Sequence, residues 1–231
     1  GIRDTSHCLV GSEMCIRDSH HAGQQIAIHA LEEKAVHAAC EAIQFALEKF
    51  PVKDHRHRIE HCSVCPPDLA RKVASLGISV VTQPAVIYFH GERYLNTVSD
   101  EQLKHLYPIR TLFDHGIHVA ASSDGPIVPP DPLIGIHAAM HRLSATGEIV
   151  GGREKIQFTA ALQMYTLNAA RATFEETIKG TITPGKLADL VVLNADPTQL
   201  AADEFRNLQV DETIIGGKVV WERKHNALSY M

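Results

Sequence analysis

The chain has 231 residues, of which 45% are hydrophobic and 21% charged, with a formal net charge of −5, a composition that suits one large soluble domain or one and a half ordinary ones. No long basic run invites nucleic acid, no apolar stretch reaches the roughly 18 residues that a membrane helix needs, and the start lacks the charged-then-apolar layout of a secretion signal. Five cysteines, an odd count at irregular spacing, argue against a disulfide framework and for a reducing, cytoplasmic compartment.

Residues 1–19 show neither helical nor strand periodicity. The string from Cys8 to Ser19 resembles translated sequencing-adaptor read-through, so the segment reads as foreign to the fold or as a flexible terminus. From His20 the pattern sharpens. Gln25 to Ala30 reads as a short strand. Glu32 to Phe50 reads as a helix, with Val36, Ala39, Cys40, Ile43, Leu47 and Phe50 on the 3.6-residue period and Pro51 ending it. His57 to His61 is the next strand. Pro67 to Leu76 is a short helix with proline in its first turn and Gly77 beyond its end. Ile78 to Gln83 is a third strand. A long loop is expected from Pro84 to Ser99, then a helix capped by Ser99 and running to about His115. His118 to Asp124 is a fourth strand, stopped by Gly125-Pro126. The alternation of strand and helix implies a parallel sheet with helices outside it.

A proline-rich loop, Gly125 to Pro132, leads to a helix through Ile136, Met140 and Leu143, and a further helix spans about Ile156 to Thr173. The character then changes. Gly180 to Lys186 is turn chemistry, Ala188 to Leu193 a strand, Asn194 to Pro197 a turn. Val210 to Ile215 and Lys218 to Glu222 form a hairpin around Gly216-Gly217. The division is thus 1–19 outside the fold, 20–173 an α/β part, and 174–231 a β-rich part that packs separately.

Three residues of metal-ligand type fall at strand ends: His29, His61 and Asp124. The two histidines are 32 residues apart, about one βα unit, and in an α/β barrel the C-terminal strand edge carries the chemistry. Cys62-Ser63-Val64-Cys65 has the spacing of a metal or redox pair but no second pair follows, and two thiols in a loop beside His61 is the blander account. His137 and His141, four apart on a helix, read as surface residues. Glu60 gets no role.

These residues resemble the amidohydrolase superfamily, in its amidohydrolase 3 group. The resemblance rests on Ile28-His29-Ala30, His57-Arg58-Ile59-Glu60-His61, Thr82-Gln83-Pro84, Ser122-Ser123-Asp124-Gly125-Pro126 and the run Pro184 to Leu193, in that order, and covers about His20 to Arg223. It implies a (β/α)8 TIM barrel with a small β-sandwich built from both chain ends. It also implies a metal centre with histidines ending strands five and six and an aspartate ending strand eight, which match His29, His61 and Asp124. The His-x-His pair of strand one and the ligand of strand four have no counterpart here. The chain therefore reads as an incomplete barrel, strands five to eight, plus the C-terminal part of the sandwich. Glu32-Glu33 also stands where the family tends to show Gly-Asp.

The implied activity is metal-dependent hydrolysis of carbon–nitrogen bonds other than peptide bonds. The cofactor would be a divalent metal, zinc above all, one or two ions in a full-length member. Zinc favours imidazole and carboxylate ligands and keeps a position for water, whose pKa it lowers to about 7. Asp124 would take that water's proton and pass it to the leaving nitrogen. For substrate contact the candidates are Gln83, at the end of its strand; Arg58, which is equally well structural; and His90 and Arg93, which either meet an anionic substrate or lie in a solvated loop. The alternatives are a related deaminase of an aromatic amine, or a truncated remnant without catalysis. The expected partners are a small-molecule substrate and, through an open barrel edge, another chain.

Overall fold

A computed structural model describes residues 14–224. The reading of residues 1–13 lies outside that range. Residues 14–21 are helical (α1), so the last part of the stretch set aside from the fold does have regular structure. Its end is anchored: the buried His20 ring meets His57 Nε2 at 2.8 Å and the Phe50 carbonyl oxygen at 2.6 Å.

Four strands make the main sheet: β1 (Ala27–Ala30), β2 (Arg58–His61), β3 (Ser79–Thr82) and β4 (Val119–Ala121). All pair in parallel in the order β1-β2-β3-β4, with helical connections. The sequential parallel order is that of a barrel wall. Register lines up Ile28, Ile59, Val80 and Val119 across the sheet. These residues face the helices and join the main core with Val36, Cys40 and Ile43 of α2 (Glu33–Lys49) and Leu69 and Val73 of α3 (Pro67–Ser75). The helix α2 follows the predicted periodicity, and Gly77 (φ 66°) ends the turn after α3 in the left-handed region that a Cβ disfavours.

The expected loop at 84–99 is instead α4 (Ala85–Thr97). Ala85, Val86, Ile87 and Gly91 are buried on it, one face of a helix whose period Tyr88, Phe89 and the interior glycine obscured. The single helix expected from Ser99 to His115 is two: α5 (Asp100–Leu103), capped by Ser99 as expected, and α6 (Ile109–Asp114). Pro108 carries no amide hydrogen, and Tyr107 before it has φ 44°, so the helical ladder cannot pass through them. After α7 (Pro132–His141), the helix expected at 156–173 also divides, into α8 (Phe158–Tyr165) and α9 (Leu167–Ala172), at a non-helical Thr166.

A second, antiparallel sheet has the order β5-β6-β7: β5 (Leu190–Leu193), β6 (Val210–Ile215) and β7 (Lys218–Glu222). The segment between β5 and β6 does not pack apart from the barrel part. Phe205 and Leu208 are buried in the main core, and the Phe205 ring lies tilted or edge-on to those of His137, His141 and Phe158. Large aromatic area found no shelter on a three-stranded sheet and went to the existing core.

Candidate metal centre

The C-terminal ends of β1 and β2 bring together His29 and His61. His29 Nδ1 lies 2.8 Å from His61 Nε2, and the rings meet edge to face with centroids 4.3 Å apart. Strand alternation alone would not do this. Ile28 and Ala30 turn toward the core, which sends His29 to the opposite face. Ile59 also turns to the core, so His61, two residues on, would follow it. Instead His61 has φ 78° and Cys62 φ 52°, and the Cys62 amide donates to the Glu60 carbonyl at 3.3 Å. That is a tight three-residue turn of the rare positive-φ kind. It re-aims the imidazole toward His29, at a backbone cost of about 1–3 kcal/mol for each such residue.

The far nitrogen of His61 is also held. Its Nδ1 lies 2.9 Å from Gln83 Oε1, and Gln83 Nε2 donates to Ser122 Oγ at 3.0 Å and to the Val81 carbonyl at 3.3 Å. A hydrogen-bonded line therefore crosses the ends of all four parallel strands, from His29 through His61 and Gln83 to Ser122. His61 and Gln83 are buried, and His29 is exposed.

The donor set suits a divalent cation. Two imidazole nitrogens converge on one point, with a fixed partner behind one of them. Metal–nitrogen bonds of about 2.0–2.1 Å in tetrahedral array put two such nitrogens about 3.3 Å apart. The rings would have to separate by only about half an ångström for an ion to replace the proton between them.

Asp124 is not gathered with them. Beyond Ala121 the chain leaves the sheet, and Asp124 (φ 55°) sits exposed in a turn whose carbonyl accepts from the Ile127 amide. The strand expected to run to Asp124 ends three residues earlier. Among the described residues no three or more His, Cys, Asp or Glu side chains cluster closely enough to hold a metal ion.

The remaining candidates are placed as follows. Arg58 opens β2, at the strand end away from His61, and its guanidinium is taken by Glu60, Gln25 Oε1 and the Ala172 carbonyl. That is a structural role, and it also gives Glu60 one. Gln83 has its carbonyl and its amide engaged with protein atoms, so it is not free to read a substrate. His90 and Arg93 lie on α4, the first half-buried and the second exposed, rather than in a loop. His137 is buried, not a surface residue. Its ring centroid is 4.8 Å from that of His141, its Nε2 meets the Ala202 carbonyl at 3.2 Å, and burial pushes its pKa down to about 4. Cys62 and Cys65 are buried free thiols, and the hydrogen bond to Cys65, with burial, raises the Cys62 pKa well above the ordinary thiol range. Sequence reasoning missed Ser122. Its signal was position: it follows β4 immediately, as Gln83 follows β3.

The sequence model of the amidohydrolase family matches residues 8–221. A putative amidohydrolase, YtcJ, of Bacillus subtilis is 30% identical over 212 residues, 90% of this chain and 39% of the relative. An N-substituted formamide deformylase of Arthrobacter pascens is 32% identical over 203 residues, 87% of this chain and 37% of the relative. The chain thus spans about two fifths of the length of these curated relatives. Among solved structures, an uncharacterized metal-dependent hydrolase from Pyrococcus horikoshii OT3 superimposes with a TM-score of 0.72 at 25% identity, over 84% of this chain and 39% of the other. The fold is accordingly of the α/β TIM-barrel type.

Proposed function

Because the chain belongs to the amidohydrolase family, in its amidohydrolase 3 group, we propose that it carries part of the metal site of a hydrolase acting on carbon–nitrogen bonds other than peptide bonds. The observation that supports this reading is the 2.8 Å approach of His29 Nδ1 and His61 Nε2 at adjacent strand ends. In this reading β1 to β4 are strands five to eight of the barrel, and β5 to β7 belong to the small β-sandwich, with residues 20–173 and 174–231 as the two parts. A divalent cation, zinc in the first instance, would supply polarisation of the substrate carbonyl and a water acidic enough to ionise near neutral pH.

The chain's own residues do the rest. His29 and His61 bind with neutral nitrogens. Asp124, in the turn three residues beyond the last parallel strand, takes the attacking water's proton and hands it to the departing nitrogen. As a turn residue it reaches the pair only if the Ser122–Gly125 segment moves or the substrate draws it in. His90 and Arg93 of α4 remain the side chains offered to an anionic substrate group. The partner is a small molecule. A second copy of the chain would associate through the open sheet edge, and the cytoplasm is the compartment.

The test is metal content followed by turnover. The 231-residue chain, stripped and dialysed against zinc, is expected to retain metal, and His29→Ala or His61→Ala to lose at least tenfold in affinity, read by atomic absorption and titration. The name of the Arthrobacter pascens relative makes N-formyl amines the first substrates to try, beside N-acyl amines, cyclic amides and aminopurines. Deamination of the aminopurines alone would favour the deaminase. Zinc retention unaltered by both substitutions would sink the proposal.

A further inference from the structure

Gln83 is the residue that the amide-hydrolysis reading leaves without a task, since the protein itself consumes its polar atoms. The Val81 carbonyl can only accept, so the Gln83 atom 3.3 Å from it is the amide nitrogen. The same nitrogen donates to Ser122 Oγ at 3.0 Å. With the amide group's nitrogen fixed on that side, its oxygen faces His61 Nδ1 at 2.9 Å. A carbonyl oxygen cannot donate, so His61 Nδ1 carries the hydrogen. In the neutral ring Nε2 is then bare, and its lone pair points at His29 Nδ1.

From this line of bonds we propose that Gln83 is a positioning residue: it locks His61 in the Nδ1–H tautomer, with Ser122 and Val81 fixing the amide that does so. The proposal rests on reading His29 and His61 as ligands only for its consequence, not for the tautomer itself. Without the Gln83 oxygen the ring is free to carry its hydrogen on Nε2, which faces the ion's place and would have to be moved before binding. The buried position of Gln83 excludes water as a ready substitute, since the side chain is 2% exposed.

The line also explains why a glutamine stands here in place of a carboxylate. A carboxylate would accept from His61 but would set an oxygen against the Val81 carbonyl. Glutamine serves both neighbours, donating on one side and accepting on the other. Ser122 extends the control to β4, so displacement of the strand that leads to Asp124 loosens the same amide.

The experiment is nitrogen NMR of the full chain, metal-free and labelled at histidine, with His61 assigned by its loss in His61→Gln. The expected signal is protonated Nδ1 and bare Nε2. Gln83→Met, close in shape but without an acceptor, should give a mixture of tautomers and bind zinc about 10–100-fold more weakly, with a lower melting temperature from the three buried hydrogen bonds it gives up. Gln83→Glu keeps an acceptor oxygen and should restore the tautomer and most of the zinc affinity. A His61 protonated on Nε2 in the unaltered protein overturns the proposal, as does a Gln83→Met variant that keeps both the tautomer and the affinity. If the unaltered chain binds no zinc, the ligand reading fails, while the NMR comparison still decides whether Gln83 sets the ring.

Discussion

Arg142 shows at the residue scale how the loops behind the site are tied. It ends α7 in the left-handed conformation (φ 58°) and is fully buried. Its guanidinium donates to three backbone carbonyls, Val150 at 2.8 Å, Tyr107 at 2.9 Å and Leu106 at 2.8 Å. Burial pushes its pKa down only to about 10, so it stays charged at neutral pH, and each of its three nitrogens donates to the backbone. Replacing it removes the partner of three buried acceptors, at about 1 kcal/mol or more each. Arg142→Leu is therefore expected to destabilise the chain by about 3 kcal/mol or more, measured by urea denaturation. Arg142→Lys, with a point charge in place of a planar fork, should fall between. A loss under about 1 kcal/mol for Arg142→Leu would show that water fills the gap. Nothing in the sequence marked this residue: one arginine among many looks alike until the fold encloses it.

At the element scale the main sheet raises a question of edges. Among the described residues β1 and β4 each pair on one side only, and parallel strands with an unpaired rim invite another backbone. The three-stranded sheet adds apolar exposure, with Val219, Val220 and Trp221 of β7 open to solvent. The expected outcome is concentration-dependent association of the isolated chain, seen as a rising mass by light scattering between micromolar and tens of micromolar protein. A lysine placed at Ala27, on the exposed part of β1, should reduce it if the β1 rim is the contact. Mass that stays at one chain throughout would remove the edge as an association surface.

For the whole molecule the relevant pattern is buried imidazole. Burial lowers the pKa of His57 to about 3 and of His137 to about 4, and lowers those of His55, His118 and His141. In each the folded state holds the ring neutral, whereas the unfolded chain protonates it near the ordinary 6.5. The unfolded state thus takes up protons first as the pH drops, and stability falls. The contribution is complete above about pH 7 and is lost progressively from about 6.5 toward 4. Carboxylates act in a separate, lower window. Asp54 and Glu176 are held below their usual values chiefly by hydrogen bonds from Arg56, and their share disappears only as the pH falls below about 4.5. Melting temperature recorded from pH 8 to pH 4 should be flat at first and then decline, and His137→Phe should shallow the decline. A flat profile down to pH 4.5 would mean that these rings are not buried neutral.

Local signals carried far in this chain. Apolar periodicity placed α2, proline and glycine bounded α3, and strand patterns with turn chemistry located the seven strands of the described residues to within a few positions. The strand-end spacing of His29 and His61 singled out a pair that does meet, because register in a parallel sheet follows from chain order and the length of each βα unit. What the sequence could not settle needed partners from far along the chain. The re-aiming of His61 depends on a turn that no glycine, asparagine or proline at 61–62 announces. Gln83 was assigned to a substrate because only the folded sheet sets His61 on one side of it and Ser122 on the other. His137 was read as a surface residue, and Arg58 was left open between two roles, for the same reason: burial and hydrogen-bond partners are properties of the packed molecule. Chain order decides which strand ends lie side by side, while the direction of each side chain there is decided by backbone twist and by neighbours tens of residues away.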